Sequence, residues 1–133
     1  MGVTRRVACV ILHREGRVLL QHRDDDPAIR WPGAWALFGG HMEPNESPEE
    51  TARREIEEEL GLSLEGTLEL VYHGTSESVE RWIYAAPLLV LPDSLTLAEG
   101  QGMALISSDD VDGYPVVPLH RQILDRWWAD LAY

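Results

Sequence analysis

Residues 47–61 constrain the fold more than any other stretch of this chain. Ser47-Pro48-Glu49-Glu50 carries an N-cap serine, a proline at the first helical position and a glutamate at N3, the pattern of a capping box. Gly61 stands where a left-handed residue closes a helix. Between them Ala52, Ile56 and Leu60 recur at i, i+4 and i+8, so one stripe of the helix must be buried against a sheet. A helix turns about 100° per residue. With Glu55 at zero, Glu58 falls near about −60° and Glu59 near about +40°, so the three carboxylates share a face. Glu57 falls near about 200°, toward solvent, and the apolar stripe spans about 60° to 140°, beside the acids.

That face opposes local helix physics. Like charges at these spacings cost roughly 0.2–0.5 kcal/mol per pair. Acids in the last turn also oppose the helix dipole, by roughly 0.3–1 kcal/mol each. A helix so well capped that still breaks a local rule points to function at the break. A hard divalent cation would relieve the repulsion, because its usual ligands are carboxylates and substrate phosphates. On the helix alone, a solvated Glu-rich face is the competing reading.

The remaining chain supplies the sheet. Residues 3–12 and 17–23 read as strands joined at Glu15-Gly16. Residues 24–33 form a polar loop, and 34–38 a short strand ending at Gly39-Gly40. Further strands are predicted at 67–73, 79–91 and 103–106. Residues 118–131 predict an amphipathic helix with Leu119, Ile123, Leu124, Trp127, Trp128 and Leu131 on its apolar side. Strands with two unlike helices make a mixed α/β domain, and the length fits a single domain over 1–133.

Composition narrows the function. The net charge is −12, with 11 arginines and no lysine, which disfavours long nucleic acid. Residues 85–91, broken by Pro87, are too short to span a membrane, and no signal peptide is evident. The single cysteine, Cys9, sits in an apolar run and reads as a buried hydrophobe; with no disulfide possible, a cytoplasmic location is expected.

From Gly40 to Leu62 the residues match G-x5-E-x7-R-E-U-x-E-E-x-G-U, with U a bulky aliphatic, at every specified position: Gly40, Glu46, Arg54, Glu55, Ile56, Glu58, Glu59, Gly61 and Leu62. The chain therefore resembles the Nudix hydrolase family, in its small, single-domain, MutT-like form. The resemblance implies an α/β/α sandwich with a mixed sheet and a loop–helix–loop metal site. It implies Mg²⁺ or Mn²⁺ bound by Glu55, Glu58, Glu59 and the Gly40 carbonyl, with Glu99 as a further acid from a later loop. Glu46 and Arg54 are implied as structural support, Arg54 orienting the acids by ion pairing. Asn45 departs from the glycine usual before the first glutamate, but asparagine also tolerates positive φ. Asp109 and Asp110 read as turn or capping residues.

The implied chemistry is pyrophosphohydrolysis of a nucleoside diphosphate linked to another moiety: a nucleoside triphosphate, an oxidised nucleotide, a nucleotide-sugar or ADP-ribose. Glu58 or Glu59, with Glu99 as rival, would act as base through a water. Arg23 is a candidate for a distal phosphate, and His41 a candidate substrate contact. Trp35 is a candidate to stack on a base, as are Trp31, Trp82 and Tyr84. A small nucleotide is the expected partner, without long nucleic acid or membrane; a homodimer is left open. Two alternatives stand beside this reading: an RNA 5′-end pyrophosphohydrolase, disfavoured by the charge, and a non-catalytic nucleotide-sensing module, disfavoured by the intact acids.

Overall fold

The computed structural model describes residues 2–98 and 100–131. One seven-stranded sheet is covered by a helix on each face, an α/β/α sandwich. β1 (Arg5–Arg14) and β2 (Arg17–His22) form a hairpin closed by Glu15 and Gly16, at φ 53° and 79°. Two consecutive positive φ values give the turn whose twist matches the strands. The hairpin pairs only at its closed end, His13 with Val18 and Arg14 with Arg17. Beyond that point the two strands part.

The gap is filled by β3 (Trp35–Ala36), which pairs with β2, and β4 (Phe38–His41), which pairs with β1. The predicted single strand over 34–38 is thus two. Its neighbours diverge, so the chain must change partner at Leu37. Helix α1 (Pro48–Leu60) follows, then β5 (Glu69–Ser76) and β6 (Val79–Pro87), turned at Glu77 and Ser78. β6 runs parallel to β1 from Arg5↔Val79 to His13↔Pro87. The predicted strand to residue 91 stops at Pro87, which has no N–H for a ladder. β7 (Gly102–Ile106) adds to β2, and α2 (Pro118–Leu131) ends the described chain. No helix among the described residues is long and apolar enough to cross a membrane.

Alternation along the strands separates the two cores. Ala8, Val10 and Leu12 of β1 face α1, where they meet Ile56 and Leu60. Cys9 and Ile11 face α2, where they meet Ile123, Leu124, Trp127 and Trp128. The capping box at Ser47 and the left-handed Gly61, at φ 66°, both form as predicted. Burying Ile56 and Leu60 contributes about 1.5–3 kcal/mol each. The like-charge and dipole penalties of the acidic face come to roughly 1–3 kcal/mol in all. Packing therefore fixes α1 on the sheet in spite of its acids.

Within α2, Leu131 is 52% exposed rather than part of the buried apolar side. Trp128 donates from Nε1 to the Gly16 carbonyl at 2.8 Å, tying α2 to the β1–β2 turn. Trp128→Phe removes that bond and most of the volume stays; in urea unfolding it should cost about 1 kcal/mol. Trp128→Ala should cost about 3–5 kcal/mol by opening a cavity. Equal losses for the two variants would contradict this anchoring.

Candidate functional site

The loop before α1 is built around Glu46. Asn45, at φ 68°, adopts the left-handed turn expected of it. Glu46 Oε1 accepts from the Glu43 N–H at 3.0 Å and from the Thr51 hydroxyl at 2.6 Å. Arg54 then grips both carboxylate oxygens, Nε to Oε2 at 2.7 Å and Nη2 to Oε1 at 3.0 Å, the fork geometry that guanidinium and carboxylate share. Nη2 also donates to the His41 carbonyl at 2.9 Å. Nη1 reaches the other way, to Glu55 Oε1 at 3.0 Å and Glu58 Oε2 at 3.1 Å. One cation thus joins the loop, the end of β4 and two of the three acids. The Arg54 hydrogen bond, then those of Thr51 and Glu43, hold the Glu46 carboxyl down at about 2. Glu46 in turn raises the guanidinium of Arg54 above its ordinary range.

The three acids are not equivalent. Glu59 is buried at 5% exposure, Glu55 is half-buried and Glu58 is exposed. Glu55 lies directly over Gly40: a β-carbon there would sit 2.5 Å from Glu55 Oε1. At Gly39 a β-carbon would sit 2.6 Å from Cys9 Cα, so β4 could not lie this close to β1. The two glycines leave a gap in the side-chain layer, through which acids of α1 reach a cavity of about 760 Å³ on the α2 side. Both Glu55 and Glu59 line that cavity, as does Cys9. Burial, aided by the negative field of Glu59, pushes the Cys9 thiol up to about 12, so it stays an inert thiol.

Each residue singled out from the sequence can now be placed. Gly40, Glu55, Glu59, Arg54, Arg23 and His41 all line this same cavity. Glu58 lies outside its lining, on the exposed side of Arg54. Glu99 lies outside the described residues. Arg23 forms no ion pair with Asp24–Asp26 among the described residues; its Nη2 donates to the Arg30 carbonyl at 2.8 Å. Trp35 lies elsewhere. It does not line the cavity but stacks on His22 at 4.5 Å and meets Tyr114 edge-on at 5.0 Å, because β3 pins its backbone to β2 and to Val116. Trp82 stacks on His73, and Tyr84 is buried against α1.

Among the described tryptophans and tyrosines, the ring that lines the cavity is Trp31. It is 43% exposed, and its φ of 55° is a strained conformation for a bulky residue, costing about 1–3 kcal/mol. Strain of this kind is retained where the side chain has work to do. Arg30 lies 5.9 Å above the ring and binds Glu77, which joins the 24–33 loop to the β5–β6 turn across the cavity mouth. Arg81 and His120 also line the cavity. Neither stood out in the sequence: a histidine two residues into an amphipathic helix and an arginine in a strand carry no local signal.

The donor set suits a hard divalent ion. Glu55, Glu59, Glu58 and the Gly40 carbonyl offer only oxygen, the chemistry Mg²⁺ and Mn²⁺ prefer. No three acidic, histidine or cysteine side chains among the described residues already enclose a metal-sized space. Glu55 and Glu58 are instead drawn together by one nitrogen of Arg54, so the acids are gathered around a positive charge, and the bare Gly40 leaves the room that the Glu55 carboxylate occupies.

A family model for the NUDIX domain matches residues 2–130. Nucleoside triphosphatase NudI from Enterobacter sp. (strain 638) is 49% identical over 63 residues, 47% of this chain and 44% of that protein. NudI from Escherichia coli O1:K1 / APEC is 47% identical over 60 residues, 45% of this chain and 42% of its own. The matched stretch spans less than half the length of either curated relative. Among solved structures, a MutT NUDIX hydrolase from Burkholderia pseudomallei has a TM-score of 0.75 at 26% identity, covering 91% of this chain and 95% of its own. A NUDIX hydrolase from Nitrosomonas europaea shares the fold, with a TM-score of 0.79 at 24% identity over 95% of this chain and 70% of its own.

The Glu46–Arg54 fork has a pH signature. The Glu46 carboxyl is depressed in the folded state, so its stabilisation is full above its ordinary value of 4.5 and is lost as pH falls toward about 2. Glu46→Gln should remove that portion of the acid-unfolding profile and leave the neutral range of the profile flat. An unchanged acid limb in the variant would contradict the assignment.

Proposed function

This chain belongs to the NUDIX family, and from that premise we propose that it is a divalent-metal-dependent hydrolase of a phosphoanhydride bond in a small nucleotide. A nucleoside triphosphate is the first class to test, given the name carried by the NudI relatives. The observation that carries the reading is the convergence, in one cavity, of Glu55 and Glu59 across the glycine gap with Arg23 and Trp31. One end of the cavity is acidic and suits a metal with its phosphates. Its lining also holds Arg23, a donor for a further phosphate, and the aromatic face of Trp31, which suits a base.

Glu55, Glu58, Glu59 and the Gly40 carbonyl would hold the ion. A bound divalent ion supplies Lewis-acid polarisation of the phosphates and lowers the pKa of water to near neutrality. Glu59 is assigned the proton of the attacking water, because it lines the cavity and is screened from bulk solvent, whereas Glu58 faces outward. Glu99 stands as the rival base on the sequence pattern alone. Arg54 orients Glu55 and Glu58 and does not touch the substrate. Arg23 would meet a phosphate oxygen, and Trp31 would stack on the base.

Release of phosphate or pyrophosphate from a nucleotide panel, with and without Mg²⁺ or Mn²⁺, tests the proposal. Turnover should vanish with chelator and return with metal. Glu59→Gln should lower kcat by roughly 10²–10⁴-fold, while Glu57→Gln, on the exposed side of α1, should leave it unchanged. Metal binding without turnover of any nucleotide would favour a sensing module instead. Arg54→Lys keeps the charge but loses the fork, and should reduce kcat with little change in KM. An Arg54→Lys enzyme of normal kcat would remove Arg54 from its positioning role.

A further inference from the structure

The far wall of the cavity has a donor whose state the fold dictates. Leu37 is the residue at which the chain leaves β2 for β1, so its N–H has no ladder partner there. It donates instead to Nδ1 of His120 at 3.2 Å. A ring nitrogen that accepts a backbone N–H carries no proton, so the proton of this ring sits on Nε2. His120 lines the cavity, and no described residue accepts from its Nε2. Burial and the nearby Arg81 and Arg23 push the ring down to about 4, which keeps it neutral. The ring therefore rests neutral in the folded protein, and it offers the cavity one N–H.

We propose that His120 is a specificity-determining residue, reading the base of the nucleotide by donating from Nε2 to an oxo oxygen. This rests on the nucleotide reading of the same cavity. Arg81 beside it is also a donor only. Guanine, uracil and thymine present a carbonyl oxygen on the edge where adenine and cytosine present an amino group. An amino group set against this wall would leave donor facing donor, and both would lose their water. The position along the cavity is suitable. Leu37 and Gly40 are three residues apart in an extended segment, roughly 10 Å, so His120 stands away from the acidic end by about the reach of a nucleoside. Trp31 supplies the face on the same cavity.

Two measurements test this apart from turnover. In ¹⁵N-histidine NMR spectra of the metal-free protein at neutral pH, His120 should show the neutral Nε2–H tautomer; the Nδ1–H form or a charged ring would overturn the proposal. Calorimetric titration of the metal-free protein with GMP, UMP, dTMP, AMP and CMP should show the oxo-bearing monophosphates binding roughly three- to tenfold tighter. His120→Phe should abolish that preference. His120→Gln, which can accept from Leu37 and still donate into the cavity, should restore most of it. Wild-type binding without base preference, or a preference that survives in His120→Phe, would overturn the proposal even if hydrolysis is observed. Failure to bind or hydrolyse any nucleotide would instead overturn the nucleotide reading, and this inference with it.

Discussion

The Arg54 guanidinium is the contact on which the rest of the site depends. It grips Glu46 by two nitrogens, anchors the end of β4 through the His41 carbonyl, and holds Glu55 and Glu58 with a third nitrogen. A lysine could meet one or two of these demands but not all of them, because its single ammonium has no rigid fork. The acids at the end of α1 repel one another and oppose the helix dipole. They remain on one face because the apolar side of α1 is fixed by burial and because Arg54 lies among them. The acidic face is therefore stable without a metal yet assembled from the ligands a metal would use.

Two glycines then decide where those acids act. The sheet separates the α1 core from the α2 core, and side chains on β4 would normally seal one from the other. Gly39 allows β4 to approach β1, and Gly40 leaves the space that the Glu55 carboxylate fills. Carboxylates from one layer consequently share a cavity with His120 and Arg81 from the other. The splitting of one strand into β3 and β4 has a second consequence. It frees the Leu37 N–H, and the acceptor that satisfies it is a histidine whose remaining nitrogen is thereby set as a donor.

The helix was legible in the sequence for physical reasons. Ser47, Pro48, Glu50 and Gly61 act within one element, and capping is local. The angular separation of Glu57 from Glu55, Glu58 and Glu59 follows from helix geometry alone, but their unequal burial does not. Glu59 is buried and Glu58 exposed because of where β4 and the 96–98 segment lie, the latter bonding Ala98 N–H to the Glu59 carbonyl at 2.9 Å. Trp31 and Trp35 could not be told apart either. They stand four positions apart, yet a positive φ at Trp31 turns its ring toward the cavity, while β3 pairing commits Trp35 to His22 and Tyr114. Long-range placement of this kind has no local signature, and the same holds for His120 and Arg81.

The central claim is that the acidic end of the cavity holds a divalent ion against a nucleotide. A crystal structure with Mn²⁺ and a non-hydrolysable nucleotide, read by anomalous scattering, tests it directly. The expected result is a manganese peak bounded by Glu55, Glu59 and the Gly40 carbonyl, with nucleotide phosphates on its open side. A peak elsewhere, or nucleotide bound in the cavity with no ion beside these residues, would contradict it.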